Sequence, residues 1–208
     1  MKNATETLHG NAPDSAPVAL VIIDMINDLE FPEGPDFLAP TLDAANRIAE
    51  LKRRAKAQHI PVVYVNDNFG RWRSDFTEVL DHVLSDGVLG QPLAERLKPD
   101  DDDYWVLKPK NSAFYATTLE TLLTYLDVKT LILTGISADA CVLFTANEAY
   151  VRDYKLYVPA DCVVAALPTY TKDAVAYMKR VLKADTTPAA ELDLAQLQNE
   201  YRNEKAEP

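Results

Sequence analysis

Apolar residues cluster in five short runs along the chain, and these runs predict β-strands. Several of the runs are apolar at consecutive positions instead of alternating, which is typical of strands buried on both faces of a parallel sheet. The predicted strands cover residues 18–24, 61–66, 104–108, 130–134 and 155–159.

Between these runs, apolar residues recur every three to four positions, which predicts helices. Alternation of strand and helix implies right-handed βαβ crossovers and a three-layer α/β domain. In such domains, active sites and ligand-binding sites lie beyond the carboxyl ends of the strands, near the point where strand order reverses. The helical groups are Leu42, Ala45, Ile48, Ala49 and Leu51; Phe76, Val79, Leu80, Val83 and Leu84; Leu119, Leu122, Leu123 and Leu126; and Ala174, Val175, Met178, Val181 and Leu182.

The same pattern divides the chain into an N-terminal arm, one domain and a tail. We expect the arm over residues 1–16, the domain over 17–187 and a C-terminal helix or tail over 188–208. The arm has no basic segment followed by a long apolar core, so no secretory signal is expected. The tail is expected to pack either on its own domain or on a second subunit.

The amino-acid composition and the net charge argue against several classes of function. Of 208 residues, 48% are apolar and 25% charged, which is ordinary for one globular domain, and the net charge of -11 argues against nucleic-acid binding. Two cysteines form no disulfide framework, so we expect a cytoplasmic protein with free thiols. The longest apolar runs, such as residues 18–23, are shorter than ten residues, so no membrane segment is expected. The acidic run at residues 100–103 is expected to be a solvated turn, because a metal needs converging ligands.

Three residues at or just beyond predicted strand ends are candidate catalytic residues. Asp24 ends the first strand, Lys108 ends the third, and Cys141 follows the fourth at the start of a helix. A helix N-terminus lowers the pKa of a thiol, and a nearby ammonium lowers it further. A carboxylate can accept the thiol proton. The three residue types therefore suit nucleophilic catalysis.

Each candidate also has a purely structural explanation. Cys141 could be a small buried apolar residue, Asp24 could cap a loop, and Lys108 could be exposed. Asp139 is a favoured residue for a helix N-cap and needs no catalytic role. Cys162 is flanked by apolar residues and is expected to pack in the core. From these residues alone, a nucleophile and a packing cysteine remain equally supported at position 141.

Three segments occur in a characteristic order along the chain: the apolar run ending in Asp24 with Asn27 and Asp28 after it, residues 108–114, and residues 135–142. Together they resemble the isochorismatase-like hydrolase superfamily, which includes nicotinamidases, N-carbamoylsarcosine amidohydrolases and ureidoacrylate hydrolases. The resemblance covers residues 18–165 and implies a Rossmann-like, three-layer αβα fold with a mostly parallel sheet of about six strands.

The resemblance implies a catalytic triad of Asp24, Lys108 and Cys141. Lys110 is a competing lysine, but Lys108 lies at the strand end before a proline, as the family lysine does. The resemblance further implies a cis peptide between Ile136 and Ser137, with the backbone N–H groups of Ser137 and Cys141 facing a developing oxyanion.

The implied reaction is hydrolysis of a C–N bond in a small amide or ureido compound through a thioester, with no cofactor. Two alternatives stay open. One is an isochorismatase-type vinyl-ether hydrolase, whose members lack the nucleophilic cysteine. The other is a non-catalytic member of the fold that binds a ligand. Family members are usually homodimers or homotetramers, so we expect a homo-oligomer whose other partner is a small-molecule substrate.

The chain departs from nicotinamidases in one segment. Those enzymes carry a metal-binding Asp-x-His with a further histidine after the second strand, whereas residues 64–75 contain no histidine. The histidines at positions 9, 59 and 82 lie elsewhere, so no metal is expected. The polar segment 66–72 instead lines the pocket or forms an ordinary loop. We expect substrate contacts from Phe31, Asn68, Trp72 and Phe114.

Overall fold

The computed structural model describes residues 15–68 and 75–204, and within them six strands form one sheet. The strands are β1 (Val18–Ile23), β2 (Val62–Asp67), β3 (Tyr104–Lys108), β4 (Thr130–Ile136), β5 (Lys155–Tyr157) and β6 (Val163–Val164). Neighbouring strands run parallel, in the order β3-β2-β1-β4-β5, with β6 beside β4. The first three strands extend from the centre of the sheet to one edge and the later strands add on the other side of β1, so strand order reverses between β1 and β4.

Helices cover both faces of this sheet. The helices are α1 (Gly34–Ala57), α2 (Phe76–Ser85), α3 (Gln91–Arg96), α4 (Leu119–Tyr125), α5 (Leu143–Tyr150), α6 (Pro168–Val181) and α7 (Leu194–Glu204). Alternate residues of β1 point to opposite faces: Leu20 and Ile22 join one core cluster, and Val21 and Ile23 join the other. The first cluster holds residues of α1, α2, α3 and α7, and the second holds residues of α4, α5 and α6. The predicted three-layer αβα architecture is confirmed.

All five predicted strands are present, with ends that differ from the prediction by at most two residues. The sixth strand has two residues and α3 has six, which is too short for either to show a periodic pattern. Every helix among residues 15–68 and 75–204 is too short or too polar to cross a bilayer.

The tail packs on its own domain. A 3-10 turn at Ala189–Glu191 precedes α7, so this C-terminal segment begins with a short turn and continues as a helix. The Arg54 guanidinium of α1 donates to the carbonyl oxygens of Ala189 and Leu192, at 2.8 and 2.5 Å. Three leucines of the segment are buried in the first core cluster: Leu192, Leu194 and Leu197.

The acidic run before β3 is an ion-pair cluster. The Lys52 ammonium lies 2.6 Å from the Asp103 carboxylate, and the Lys56 ammonium lies within 3.0 Å of both Asp100 and Asp103. The Asp103 side chain is 2% exposed, so the expected solvated turn is wrong for this residue. Carboxylates of Asp100, Asp102 and Asp103 lie close enough together to hold a cation, and the ammonium groups of Lys52 and Lys56 from α1 already place two positive charges beside them.

Gly135 in β4 is required by the close approach of β1. Its φ is +113°, and a Cβ there would lie 2.0 Å from the Ile23 carbonyl oxygen. We expect Gly135→Ala to lower the free energy of unfolding by about 3 kcal/mol, from backbone strain and overpacking. Gly87→Ala is the matched control, because Gly87 has a φ of +70° and open space around it.

The control should lose only about 1 kcal/mol, the cost of a left-handed residue with a side chain. Urea unfolding of both variants measures the two losses. Equal losses would show that the contact with β1 is unimportant at Gly135.

Candidate functional site

The carboxyl ends of β1, β2, β3 and β4 bring the polar candidates to one edge of the sheet. Ile23, the last residue of β1, pairs with Val65 of β2 and with Gly135 of β4. Asp24 follows directly, while Asp67 and Lys108 pair with each other at the ends of β2 and β3. These groups flank the point where strand order reverses, which is where such folds bind ligands.

The Lys108 ammonium is the centre of the cluster. Its Nζ lies 2.9 Å from Asp24 Oδ2, 3.4 Å from Cys141 Sγ and 3.5 Å from Asp67 Oδ2. Lys108 is fully buried, Asp24 is buried and Cys141 is half-buried. Lys110, the competing lysine, is exposed. The structure therefore brings together the three residues that the sequence singles out, with a second carboxylate beside them.

Asp24 is held rigidly by the backbone of β2. Its N–H donates to the Val65 carbonyl at 2.8 Å, and its Oδ1 accepts the Asp67 N–H at 2.8 Å. Its φ of +53° is left-handed, a conformation that aspartate tolerates better than most residues. Both carboxylate oxygens are thereby fixed, one on the Asp67 N–H and the other on Lys108.

Burial and mutual charge set the protonation of the three groups. Burial raises the pKa of Asp24 and outweighs the opposing effect of Lys108. Burial lowers the pKa of Lys108, but Asp24 and Cys141 raise it more, so the ammonium is retained. Burial and the Asp24 carboxylate raise the pKa of Cys141 to about 12, although Lys108 opposes them.

The expected low thiol pKa is therefore wrong. The sequence predicts a thiol pKa lowered by the helix N-terminus and the Lys108 ammonium. In the structure, burial of the thiol and the Asp24 carboxylate raise this pKa by more than Lys108 lowers it. At neutral pH the site holds a thiol on Cys141 and an ammonium on Lys108.

Cys141 lies in a single π-helical turn, Ala138–Val142, between β4 and α5. The preceding peptide bond, Ile136–Ser137, is cis. The Ser137 carbonyl accepts the N–H groups at positions 140 and 142. Among the described residues, neither Ser137 nor Cys141 donates its N–H to a backbone carbonyl outside this turn.

Asp139 does not cap the following helix. Its carboxylate accepts a hydrogen bond from the Ser137 hydroxyl, and the side chain is exposed. The turn makes no side-chain cap at its N-terminus. The expected N-cap role is wrong, because a π-helical turn replaces the ordinary first turn.

Thr145 is a positioning residue that the sequence did not single out. Its buried hydroxyl donates to the Cys141 carbonyl at 2.7 Å and accepts the Ala113 N–H at 3.0 Å. It therefore ties the turn of the cysteine to the segment that follows Lys108. A threonine four residues after a candidate nucleophile on a helix is a weak signal, because such hydroxyls often bond to the i−4 carbonyl.

Asn68 and Phe31, two of the predicted substrate contacts, lie among the residues that the structure describes. Asn68 is buried at the edge of the site, and its N–H donates to the Lys108 carbonyl at 3.0 Å. Phe31 is partly buried and packs edge-to-face on Phe37, with ring centroids 5.6 Å apart. Trp72 lies outside the described residues.

Phe114 is a core residue, which corrects its prediction as a substrate contact. It is 4% exposed in the second core cluster. Its ring centroid lies 5.9 Å from that of Tyr154 and 4.8 Å from the Arg152 guanidinium. An aromatic residue that follows a strand end can point into the core as readily as into a pocket. Here the ring packs against Arg152 and Tyr154, in the connection between α5 and β5.

Cys162 is fully buried, and its carbonyl accepts the Gly135 N–H at 2.9 Å. Its prediction as a packing residue is confirmed. Burial raises the pKa of its thiol, with further effect from Asp161. It offers an unreactive internal comparison for Cys141.

The donor set at the site does not fit a nicotinamidase-type metal centre. Asp67 occupies the end of β2, but the nearby described residues include no histidine, and the Lys108 ammonium lies against its carboxylate. His82 lies on α2, where Asp28 and Asp86 contact its ring. His59 is exposed before β2, at the opposite end of that strand.

Residues 18–190 match the family model described as the isochorismatase domain. The isochorismatase family protein YaaI of Bacillus subtilis is 38% identical over 169 residues, which cover 81% of this chain and 92% of that protein. The ureidoacrylate amidohydrolase RutB of Methylorubrum extorquens is 27% identical, over 74% of this chain and 73% of RutB. The crystal structure of N-carbamoylsarcosine amidase from Thermoplasma acidophilum superposes with a TM-score of 0.65 at 28% identity, covering 85% of this chain and 98% of that one.

Proposed function

The chain belongs to the isochorismatase family, and on that premise we propose that it is a cysteine-dependent amidohydrolase. It cleaves a C–N bond of a small amide or ureido compound through a thioester on Cys141. One observation carries the proposal: a half-buried thiol lies 3.4 Å from a buried ammonium, which in turn lies 2.9 Å from a buried carboxylate. Relatives named as an amidohydrolase and an amidase support the reaction class.

Acylation begins with transfer of the Cys141 proton to Asp24 as the sulfur attacks the substrate carbonyl. The S–C bond forms, and the Lys108 ammonium stabilises the negative charge on sulfur. The N–H groups of Ser137 and Cys141 donate to the tetrahedral oxyanion. Asp24 then gives its proton to the leaving nitrogen, the C–N bond breaks, and ammonia or an amine departs from the thioester.

Deacylation uses the same carboxylate. Asp24 accepts a proton from water as the water oxygen attacks the thioester carbonyl. The C–S bond breaks, the sulfur recovers the proton from Asp24, and the acid product leaves. The raised pKa of Asp24 suits this double role, because it makes the carboxylate a stronger base than an ordinary aspartate.

A trapped intermediate tests this mechanism. A panel of small primary amides and ureido acids is first screened for ammonia release. With any compound that is hydrolysed, acid quenching during turnover should give protein heavier by the acyl group, and peptide mapping should place that mass on Cys141.

Cys162→Ala is the matched control and should retain the adduct, because Cys162 is buried in the core. A vinyl-ether hydrolase would release no ammonia, and a non-catalytic member would release none and form no adduct. Ammonia release with an acyl mass on another residue would refute the role of Cys141.

A further inference from the structure

Asn66 is a fully buried amide near the end of β2, directly after the core residues Tyr64 and Val65. Its Nδ2 donates to the Ile26 carbonyl at 2.6 Å, while its Oδ1 is buried without a hydrogen-bond partner among the described residues. Because a carbonyl can only accept, the nitrogen must be the atom that faces Ile26. A buried amide with an unpaired oxygen lowers stability, so packing alone does not explain this residue.

Three consecutive residues of β2 hold the chain that follows β1. The Val65 carbonyl accepts the Asp24 N–H at 2.8 Å, and the Asp67 N–H donates to Asp24 Oδ1 at 2.8 Å. Between them in sequence, the Asn66 side chain reaches past Asp24 to the carbonyl of Ile26. The catalytic carboxylate is therefore held at its own backbone, at its side chain and at the chain two residues beyond it.

The chain after Asp24 is a short span between two fixed points. Asp24 has a φ of +53°, so the chain leaves the extended direction of β1 at this residue. The second fixed point is Asp28, whose carbonyl accepts the Gly90 N–H at 2.8 Å. Ile26 lies midway and is fully buried. Loss of the Asn66 amide would remove the side-chain donor of this carbonyl and release the middle of the span from β2.

We propose that Asn66 is a positioning residue that holds Asp24, through the Ile26 carbonyl, in the orientation that proton transfer requires. In that orientation Asp24 Oδ2 lies 2.9 Å from Lys108 Nζ. Because the Asn66 side chain is fully buried, it acts through Asp24 and not by direct contact with a substrate. The inference rests on the proposed function, in which Asp24 transfers the proton in both half-reactions.

A displaced Asp24 would have two opposite effects on Cys141. Proton transfer needs the carboxylate within hydrogen-bond reach, and a displacement of about 1 Å in an active site can slow a reaction about 100-fold. The same carboxylate raises the pKa of the Cys141 thiol, whereas Lys108 lowers it. Loss of the Asn66 bond should therefore slow turnover while it makes the free thiol more reactive.

Asn66→Leu removes both polar atoms and keeps a side chain of similar shape. Thr134→Val is the matched control, because the buried Thr134 hydroxyl donates to the Val21 carbonyl at 3.1 Å. Each substitution removes one buried hydrogen bond from a side chain to the chain of β1 or its extension. Val21, however, lies three residues before Asp24, within a strand that β2 and β4 hold on both sides.

The first readout is alkylation by iodoacetamide at pH 8 without substrate, followed by peptide mapping. Cys141 of Asn66→Leu should react about 3- to 10-fold faster than in wild type, because its thiol pKa falls. Cys162 should stay as slow as in wild type, and Thr134→Val should leave both rates unchanged. An unchanged or slower rate at Cys141 would overturn the inference. Equal acceleration of both cysteines would indicate general loosening of the fold and would also overturn it.

The second readout is steady-state hydrolysis of an amide or ureido compound from which wild type releases ammonia. Asn66→Leu should lower kcat about 10- to 100-fold and leave KM within about twofold, because the carboxylate is displaced and the pocket is not. Thr134→Val should keep kcat within about twofold. A raised KM with unchanged kcat would assign Asn66 to substrate binding and contradict the positioning role. Equal losses of kcat in the two variants would contradict it as well.

Two checks keep these outcomes distinct. If Asn66→Leu does not fold, Asn66→Ser repeats both readouts, because its shorter side chain cannot reach the Ile26 carbonyl. If wild type releases no ammonia from any compound, the proposed function fails. The alkylation comparison still decides whether Asn66 holds Asp24 against Cys141, because it needs no substrate.

Discussion

Cys141→Ala is expected to reduce kcat for amide or ureido hydrolysis by at least about 10⁴-fold, the scale seen when a nucleophile is removed from a catalytic triad. The other cysteine of the chain, Cys162, cannot take its place, since it is buried in the core. Asp24 and Lys108 keep their contact at 2.9 Å, so the charged cluster survives the substitution. Steady-state ammonia release gives kcat.

The fold of Cys141→Ala should be intact, because the thiol is half-buried and the change leaves only a small space. Cys162→Ala provides the opposite result. It should keep kcat within about twofold and lose roughly 1 kcal/mol of stability, because a fully buried sulfur is removed from a packed core. Full turnover by Cys141→Ala on a verified substrate would exclude the acyl-enzyme mechanism.

The positions of the candidate residues were predictable from the chain, whereas their electrostatics were not. Asp24 and Lys108 follow apolar runs, and parallel strands end at one edge, so their meeting follows from the pattern. The pKa of Cys141 depends on which groups face the sulfur and how much water remains. Neither is encoded in local sequence, and the expected low value was wrong for that reason.

The residues that line the pocket could not all be predicted, because the sequence does not show in which direction a side chain points after a strand end. Phe114 and Asn68 both follow strand ends, yet one points into the core and the other lies at the edge of the site. Asp67 lies in a polar segment that could equally be a loop, and only pairing of β2 with β3 places it beside Lys108. The tail was ambiguous because its anchor, Arg54, is distant in sequence.

Lys108→Met is expected to remove both the stabilisation of the thiolate and the partner of a buried carboxylate. We expect kcat to fall about 10³-fold, comparable to loss of a strong electrostatic contact in a transition state. At pH 8 the free energy of unfolding should fall by about 3–5 kcal/mol, because Asp24 is left buried without its cation. Lys110→Met is the matched control, since Lys110 is exposed and two residues away.

The stability loss of Lys108→Met should shrink as the pH falls from 8 toward 5. Burial already raises the pKa of Asp24, and removal of Lys108 raises it further. The folded variant then binds a proton at a pH where the unfolded chain does not, so its stability rises as the pH falls through that pKa. In wild type, Lys108 keeps its charge across this range, because its own pKa is raised above the ordinary lysine value. Urea unfolding at pH 5 and pH 8 measures the difference between variant and wild type. A difference that stays constant, or that Lys110→Met reproduces, would show that the Lys108 ammonium does not control the charge of Asp24.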